Sequence, residues 1–289
     1  MRILLTLAYD GTNYCGWQRQ INGPSVQQTL EEALAVLLNR DINDVKTIAA
    51  SRTDAGVHAL GQRAVFDIDE LKIPLDKFPQ VLNGLLPSDI SVTSAQFVPK
   101  SFNPRFAAKY KTYAYHINNA PIPNPLLRRY SAFVPQPLDI EAMQKAARNF
   151  IGRHDFTSFC AAGGSAKTTV REVYQCGVRF PRPYGKKTFL GDEVEISPGE
   201  KIFFGDEVKA SPGEKYFPCG PVKIIITGNG FLYNMVRIIA GTLVYVGLGK
   251  IPHGAIPEII TAKDRTKAGK TMPPEGLVLE EVGYQPFTA

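Results

Sequence analysis

The chain has 289 residues, 44% of them hydrophobic and 21% charged. That is enough apolar material for a packed core, and it excludes a disordered chain as the main state. Thirty-three basic residues against 27 acidic ones leave a net charge of +6, which permits a polyanionic partner without requiring one.

Residues 2–9 are rich in Leu and Ile and read as a buried strand, not as a signal peptide, because the apolar run is short and ends at Asp10. A loop follows to residue 24. Ser25 with Gln28 fits a capping box, and Val26, Leu30, Ala33, Leu34, Leu37 and Leu38 give one apolar helix face. Strands are expected at 45–50 and 61–68, with a polar turn, Ser51 to Leu60, between them. A short helix is expected near 75–84. Further strands are expected at 110–117, 130–134, 169–180 and 221–228, and helices at 138–150 and 231–246. Strands and helices mixed with long excursions point to an α+β fold, not to strict βαβ winding.

The segment Gly191-Asp-Glu-Val194 to Lys201 recurs 14 residues later as Gly205-Asp-Glu-Val208 to Lys215. Pro-Gly in each copy marks a turn. A duplicated hairpin insertion is expected at about 186–217, and its acidic, turn-rich composition fits a solvated elaboration. The longest apolar stretch, Phe231–Leu248, contains Arg237, so a membrane span is not expected. A soluble, cytoplasmic protein is. Cys15, Cys160, Cys176 and Cys219 form no CxxC pair, and the four histidines no HxxxH, so no metal site is expected. Phosphate-loop, dinucleotide and serine-elbow motifs are missing.

Residues 90–138 contain no acid, yet carry Lys100, Arg105, Lys109, Lys111, Arg128 and Arg129 with eight interleaved aromatics. Basic side chains track phosphates and aromatic faces stack bases; a solvated basic face over core aromatics gives the same composition. Arg52-Thr-Asp54 sets a carboxylate two residues from a guanidinium, which fits either an activated acid or an ordinary loop ion pair. His58 reads as structural. Arg237 is the only charged residue from Ile224 to Gly249. A guanidinium on a helix that is apolar nearly all round needs an anion, or must snorkel to the surface.

Two segments, Tyr9-Asp-Gly-Thr-Asn-Tyr-Cys-Gly-Trp-Gln-Arg-Gln20 and Ser51-Arg-Thr-Asp-Ala-Gly-Val-His-Ala-Leu-Gly-Gln62, closely resemble the tRNA pseudouridine synthase A family. Phe102-Asn-Pro-Arg-Phe106, Lys111-Thr-Tyr-Ala-Tyr115, His154 to Phe159, Gly230 to Arg237 and Pro274 to Leu279 follow in the family's order. The repeat is additional to the usual core, and Met272-Pro-Pro departs from the family's usual Ala-Pro.

The resemblance implies two related α+β subdomains, splitting here into 1–105 and 106–289, that share a mixed, mainly antiparallel sheet around a central catalytic cleft. It implies a homodimer that isomerises uridine to pseudouridine at positions 38–40 of the tRNA anticodon stem-loop. Asp54 matches the catalytic aspartate and Tyr113 the active-site tyrosine. Arg52 and Arg237 would orient Asp54 and keep it ionised. Arg105, Lys109, Lys111, Arg128 and Arg129 would contact RNA. Breaking C1′–N1 and forming C1′–C5 oxidises nothing and adds no outside group, so no cofactor, nucleotide or otherwise, is implied. A non-catalytic RNA-binding module and a carboxylate glycosidase are the alternatives; the latter needs a second acid, and none stands near Asp54 in the motif.

Overall fold

In a computed structural model, which describes residues 1–164, 166–180 and 220–288, the elements in chain order are β1 (Arg2–Tyr9), α1 (Val26–Leu38), β2 (Ile48–Ala49), β3 (His58–Asp67), α2 (Phe78–Asn83), β4 (Ile90–Val98), α3 (Pro104–Ala107), β5 (Tyr110–Asn119), β6 (Ala132–Val134), α4 (Ile140–Ala147), β7 (Gly152–Asp155), β8 (Val170–Arg179), β9 (Gly220–Gly228), α5 (Met235–Gly247), α6 (Ile256–Ala262) and β10 (Leu277–Gly283). The expected duplicated hairpin at about 186–217 lies outside the described residues.

The strands form one sheet in the order β4-β1-β3-β10-β5-β9-β8-β7, with β2 paired to β3 and β6 to β5. Among the described residues only β3–β10 and β5–β6 pair in parallel. The fold is therefore α+β, with a mixed and mainly antiparallel sheet flanked by helices. Strand alternation explains the layering. Ile3, Leu5 and Leu7 of β1, Tyr113, Tyr115 and Ile117 of β5, and Val222, Ile224 and Ile226 of β9 join one continuous apolar cluster with Leu30, Leu34, Met143, Ile238 and Leu243 from the helices. Each fully buried aliphatic side chain of this kind stabilises the fold by about 1.5–3 kcal/mol.

Local signals account for most element ends. Ser25 Oγ accepts from Gln28 N at 3.3 Å, capping α1. Only half of the capping box forms, because the Gln28 side chain turns to Glu32 instead. Asn39 closes the helix in a left-handed conformation (φ 50°), which Asn tolerates better than most residues. α5 begins later than expected, at Met235. Residue 234 is left-handed there, and the preceding Phe231–Tyr233 is a loop.

β10 joins the two halves of the sheet. It comes from the C-terminal end of the chain and inserts between β3 and β5. Leu279 pairs with Ala59 on one side and with Tyr113 on the other. That register brings the turn ending at His58 within reach of Tyr113. Leu277, Leu279 and Val282 anchor the strand in the core.

Candidate active site

Two loops interlock to make the site. One is the glycine-rich stretch after β1; the other is the 50–57 loop that enters β3. Trp17 N donates to Thr53 O at 3.1 Å, and Gly56 N donates to Tyr14 O at 3.2 Å. At Gly16 (φ +97°) an added Cβ would sit 2.6 Å from Thr53 O, so only glycine allows the loops to approach this closely. Gly56 (φ +75°) completes the turn, in which Val57 N donates to Asp54 O at 3.1 Å. The turn lifts Asp54 out of the loop and leaves its side chain about one-third exposed.

Beneath the turn lies a buried polar network. Gln62, fully buried on β3, grips the backbone of Ser51 from both ends. Its Nε2 donates to Ser51 O at 2.8 Å and its Oε1 accepts from Ser51 N at 3.3 Å. Ser51 Oγ shares a 2.9 Å hydrogen bond with Tyr113 OH, and Tyr9 OH shares one of 2.8 Å with Thr53 Oγ1. A satisfied network of this kind fixes geometry, since each member would be costly to leave unpaired. Tyr113 is buried, its ring set edge-to-face against Phe231 at 5.3 Å. Burial pushes its hydroxyl up to about 12, so at neutral pH it is a donor and not a phenolate.

The structure brings Arg237 to Asp54, with Nη1 3.6 Å from Asp54 Oδ2. The guanidinium is held from two other directions. Its Nε donates to Met272 O at 2.7 Å and its Nη1 to Asn234 Oδ1 at 2.8 Å. Asn234 occupies the N-cap position of α5 but makes no side-chain cap; its amide oxygen serves the arginine instead. Met272 is buried, and its backbone brackets Arg237 through both N and O.

Electrostatically, burial pushes the Asp54 carboxyl up, and the charges of Arg237 and Arg52 pull it down. Burial prevails, and the group sits above the ordinary carboxylate range. The two arginines thus moderate the desolvation of Asp54 without cancelling it. The outcome is a more basic, partly exposed carboxylate, with a cation on one side and a buried tyrosine nearby.

The remaining cations divide. Arg52, Arg105 and Lys109 are exposed, as are Arg128 and Arg129. Lys111 is turned inward. Its ammonium donates to Ala50 O at 2.7 Å, at the foot of the 50–57 loop. Burial and the neighbouring charges of Arg105 and Arg52 lower it to about 8. Arg128 and Arg129 line a cleft of about 400 Å³ together with Thr12, Gly56, Pro274 and Glu275. Among the described residues no group of three or more His, Cys, Asp or Glu side chains is placed to hold a metal ion, and no helix is long and apolar enough to cross a membrane.

Ser51, Gln62, Tyr9 and Asn234 received no role from the sequence. Asn234 had a usable signal, since it stands three residues before Arg237 at a helix start, a spacing at which side chains meet. Gln62 had a weaker one, a polar residue at an inward position of a strand.

A family model described as tRNA pseudouridine synthase matches residues 6–107 and 146–285. The chain is 45% identical over 282 residues to the tRNA pseudouridine synthase A of Caldicellulosiruptor bescii, covering 98% of this chain and 99% of that protein. It is 44% identical over 283 residues to the protein of the same name from Ruminiclostridium cellulolyticum, with the same coverage. Against the one from Myxococcus xanthus the identity is 40% over 284 residues, covering 98% of this chain and 92% of that protein. Asp54 lies in the first matched segment and Arg237 in the second; the chain that folds them together belongs to the tRNA pseudouridine synthase family, whose members are isomerases.

Proposed function

We propose that this chain isomerises uridine to pseudouridine in the anticodon stem-loop of tRNA, at positions 38–40, with Asp54 as the nucleophile. The observation that carries the reading is the 3.6 Å approach of Arg237 to Asp54 beside the buried Tyr113. In the reaction the C1′–N1 bond breaks, the uracil turns, C1′–C5 forms, C5 loses its hydrogen as a proton and N1 takes up a proton, so that any bond made to Asp54 is broken again and the product is an isomer of the substrate. The acid must act while ionised, and its raised basicity favours attack. Arg237 steadies the charge on Asp54 as it changes, a role for fixed charges in a partly desolvated site. Tyr113 lies against the base and its hydroxyl, held by Ser51, is available for proton transfer.

A base in a paired stem must leave the stack, at about a few kcal/mol. Contacts from Arg105, Lys109, Arg128 and Arg129 to RNA phosphates offset that, while Arg52 acts with Arg237 on the charge of Asp54. Lys111 we assign to tying the catalytic loop to β5, since its ammonium already serves Ala50 O. We read residues 1–105 and 106–289 as the two related subdomains, and the working form as a cytoplasmic homodimer with tRNA lying across both protomers.

The test is tritium release from tRNA carrying [5-³H]uridine. Wild-type protein releases tritium to water and Asp54→Asn does not. Equal release by the two removes Asp54 from the nucleophile role. Mass mapping, after pseudouridine-selective derivatisation, of tRNA from cells lacking the protein is expected to show unmodified uridine at positions 38–40, and intact pseudouridine there would refute the assignment of positions.

A further inference from the structure

Two of the most distinctive sequence segments meet away from Asp54, and a third segment joins them there. Asp10, just past β1, approaches His58 at the start of β3, with Oδ1 3.1 Å from His58 Nδ1. Gly11 N donates to the same ring nitrogen at 3.0 Å. The third member is Tyr130, at the end of the stretch 120–131. Its hydroxyl donates to Asp10 Oδ2 at 2.8 Å, and its ring lies 5.3 Å from the His58 ring. Thr12 adds two further donors to Asp10 Oδ1. Burial pushes the Asp10 carboxyl up, but the hydrogen bonds from Thr12 and Tyr130 and the nearness of His58 outweigh it and hold the group below its ordinary range. At neutral pH Asp10 is therefore a carboxylate acceptor for the Tyr130 hydroxyl.

The rest of this stretch is held by local hydrogen bonds, among them a 3-10 turn at Pro125–Leu127, Tyr130 N to Leu127 O at 3.0 Å and Ser131 Oγ to Leu127 O at 3.0 Å. Residues 121–130 are all exposed, including Leu126 at 85%. Arg128 and Arg129 have no ion-pair partner among the described residues. They stand one and two residues before Tyr130, and they line the cleft whose floor includes Thr12 and Gly56. Gly56 belongs to the same turn as Asp54. Between β5 and β6, Tyr130 is thus a side-chain contact that ties an exposed, doubly cationic arm to the two loops that build the Asp54 turn.

We propose that Tyr130 is a positioning residue for RNA: bound to Asp10 and packed on His58, it holds Arg128 and Arg129 over the cleft beside Gly56, where they take backbone phosphates of the RNA whose uridine reaches Asp54. The proposal rests on the reading of Arg128 and Arg129 as phosphate contacts. A neutral side chain then controls how many phosphates the protein neutralises on binding.

That consequence gives the test. Each phosphate neutralised contributes about 0.7–0.9 to the slope of log affinity against log salt. The tRNA affinity of the full chain is measured across salt for wild type, Tyr130→Ala, Tyr130→Phe, the double variant Arg128→Ala/Arg129→Ala and the triple variant that adds Tyr130→Ala to it. The double variant is expected to flatten the slope by roughly 1–2. Tyr130→Ala, which removes no charge, is expected to flatten it by about 1 and to add nothing in the double-variant background. Tyr130→Phe keeps the ring on His58 and recovers part of the slope. A flattened slope for the double variant with a wild-type slope for Tyr130→Ala overturns the anchoring role and leaves the arginine contacts standing. A wild-type slope for the double variant overturns both, while the tritium assay still decides the isomerase reading on its own.

Discussion

The turn at 54–57 has two unlike surroundings. On the buried side, Gln62, Ser51, Tyr113, Tyr9 and Thr53 are hydrogen-bonded to one another, and Arg237 is held by Asn234 and Met272 as well as by Asp54. On the exposed side, Arg105, Lys109, Arg128 and Arg129 project into water. The first arrangement is preorganised for charge that changes during a reaction, because nothing in it must reorient. The second suits a polyanion, because its charges are open and screened by salt until a partner displaces the counterions. The division assigns turnover to the buried groups and affinity to the exposed ones, and each variant below asks whether a residue belongs where the structure puts it.

Asp54→Asn is expected to have the largest effect. With Asp54 as the proposed nucleophile, turnover should fall by about 10⁴ or more, while the affinity for tRNA and its salt slope stay close to wild type. A large loss of affinity in filter binding would place Asp54 among the gripping residues and break the division at its centre. Arg237→Met comes next. Losing one fixed charge beside the reacting group should lower kcat by roughly 10²–10³. It should also move the acid limb of the pH profile upward. Asp54 is raised by burial and lowered by Arg237 and Arg52, so deleting Arg237 removes a downward pull and the carboxylate protonates at higher pH. A limb that stays in place or moves down would contradict the pairing.

Much of this was legible before the fold was known, and the residues show why. Arg237 was conspicuous because a lone cation in an apolar helix needs an anion, and Asp54 was conspicuous through its motif. The elements left unread were those whose pattern is ambiguous on its own. β4 reads Ile-Ser-Val-Thr-Ser-Ala-Gln-Phe-Val, with apolar positions diluted by small polar ones, as befits a strand at the sheet edge. β10 carries Glu280 and Glu281 mid-strand. Glu280 is tolerated because Lys223 of β9 meets it at 2.5 Å, and Glu281 because Tyr110 of β5 donates to it at 2.8 Å. Neither partner is near in sequence. α6 is a seven-residue helix, Ile-Pro-Glu-Ile-Ile-Thr-Ala, with a proline at its second position, too short to show a helical period. The expected strand at 45–50 shrinks to Ile48–Ala49, because the chain leaves the sheet there to build the 50–57 loop. The turn's supporting network was hidden for a related reason. Gln62 and Ser51 are eleven residues apart, and only the loop's return onto β3 brings them together.

Lys111 and Arg105 make the closest comparison of all. They come from the same acid-free window and lie near enough for Arg105 to lower the Lys111 ammonium, yet one is turned inward and the other is exposed. Arg105→Ala should flatten the salt slope of tRNA binding by about 1. Lys111→Met should leave that slope unchanged and instead lower kcat about tenfold, by loosening Ala50 at the foot of the catalytic loop. A flattened slope for Lys111→Met would return the lysine to the RNA-gripping set.

The smallest effect is on stability, and its sign is the informative part. Burial, with Arg105 and Arg52 nearby, brings Lys111 down from an ordinary 10.5 to about 8 in the fold. Between those two values the unfolded chain holds a proton that the folded one has released, so stability rises with pH across this window. Below about pH 8 the buried ammonium is a full burden on the fold. The burden fades as pH rises toward 10.5 and is absent in Lys111→Met at every pH. Other groups titrate in the same range, but they are common to both proteins and drop out of the difference. The gap in Tm between variant and wild type should therefore shift against the variant between pH 8 and 10.5 as the wild type sheds its burden. A gap that stays constant would mean that the Lys111 ammonium is as well solvated in the fold as outside it. In that case the hydrogen bond to Ala50 is a surface contact, and the line drawn here between buried and exposed cations passes on the other side of residue 111.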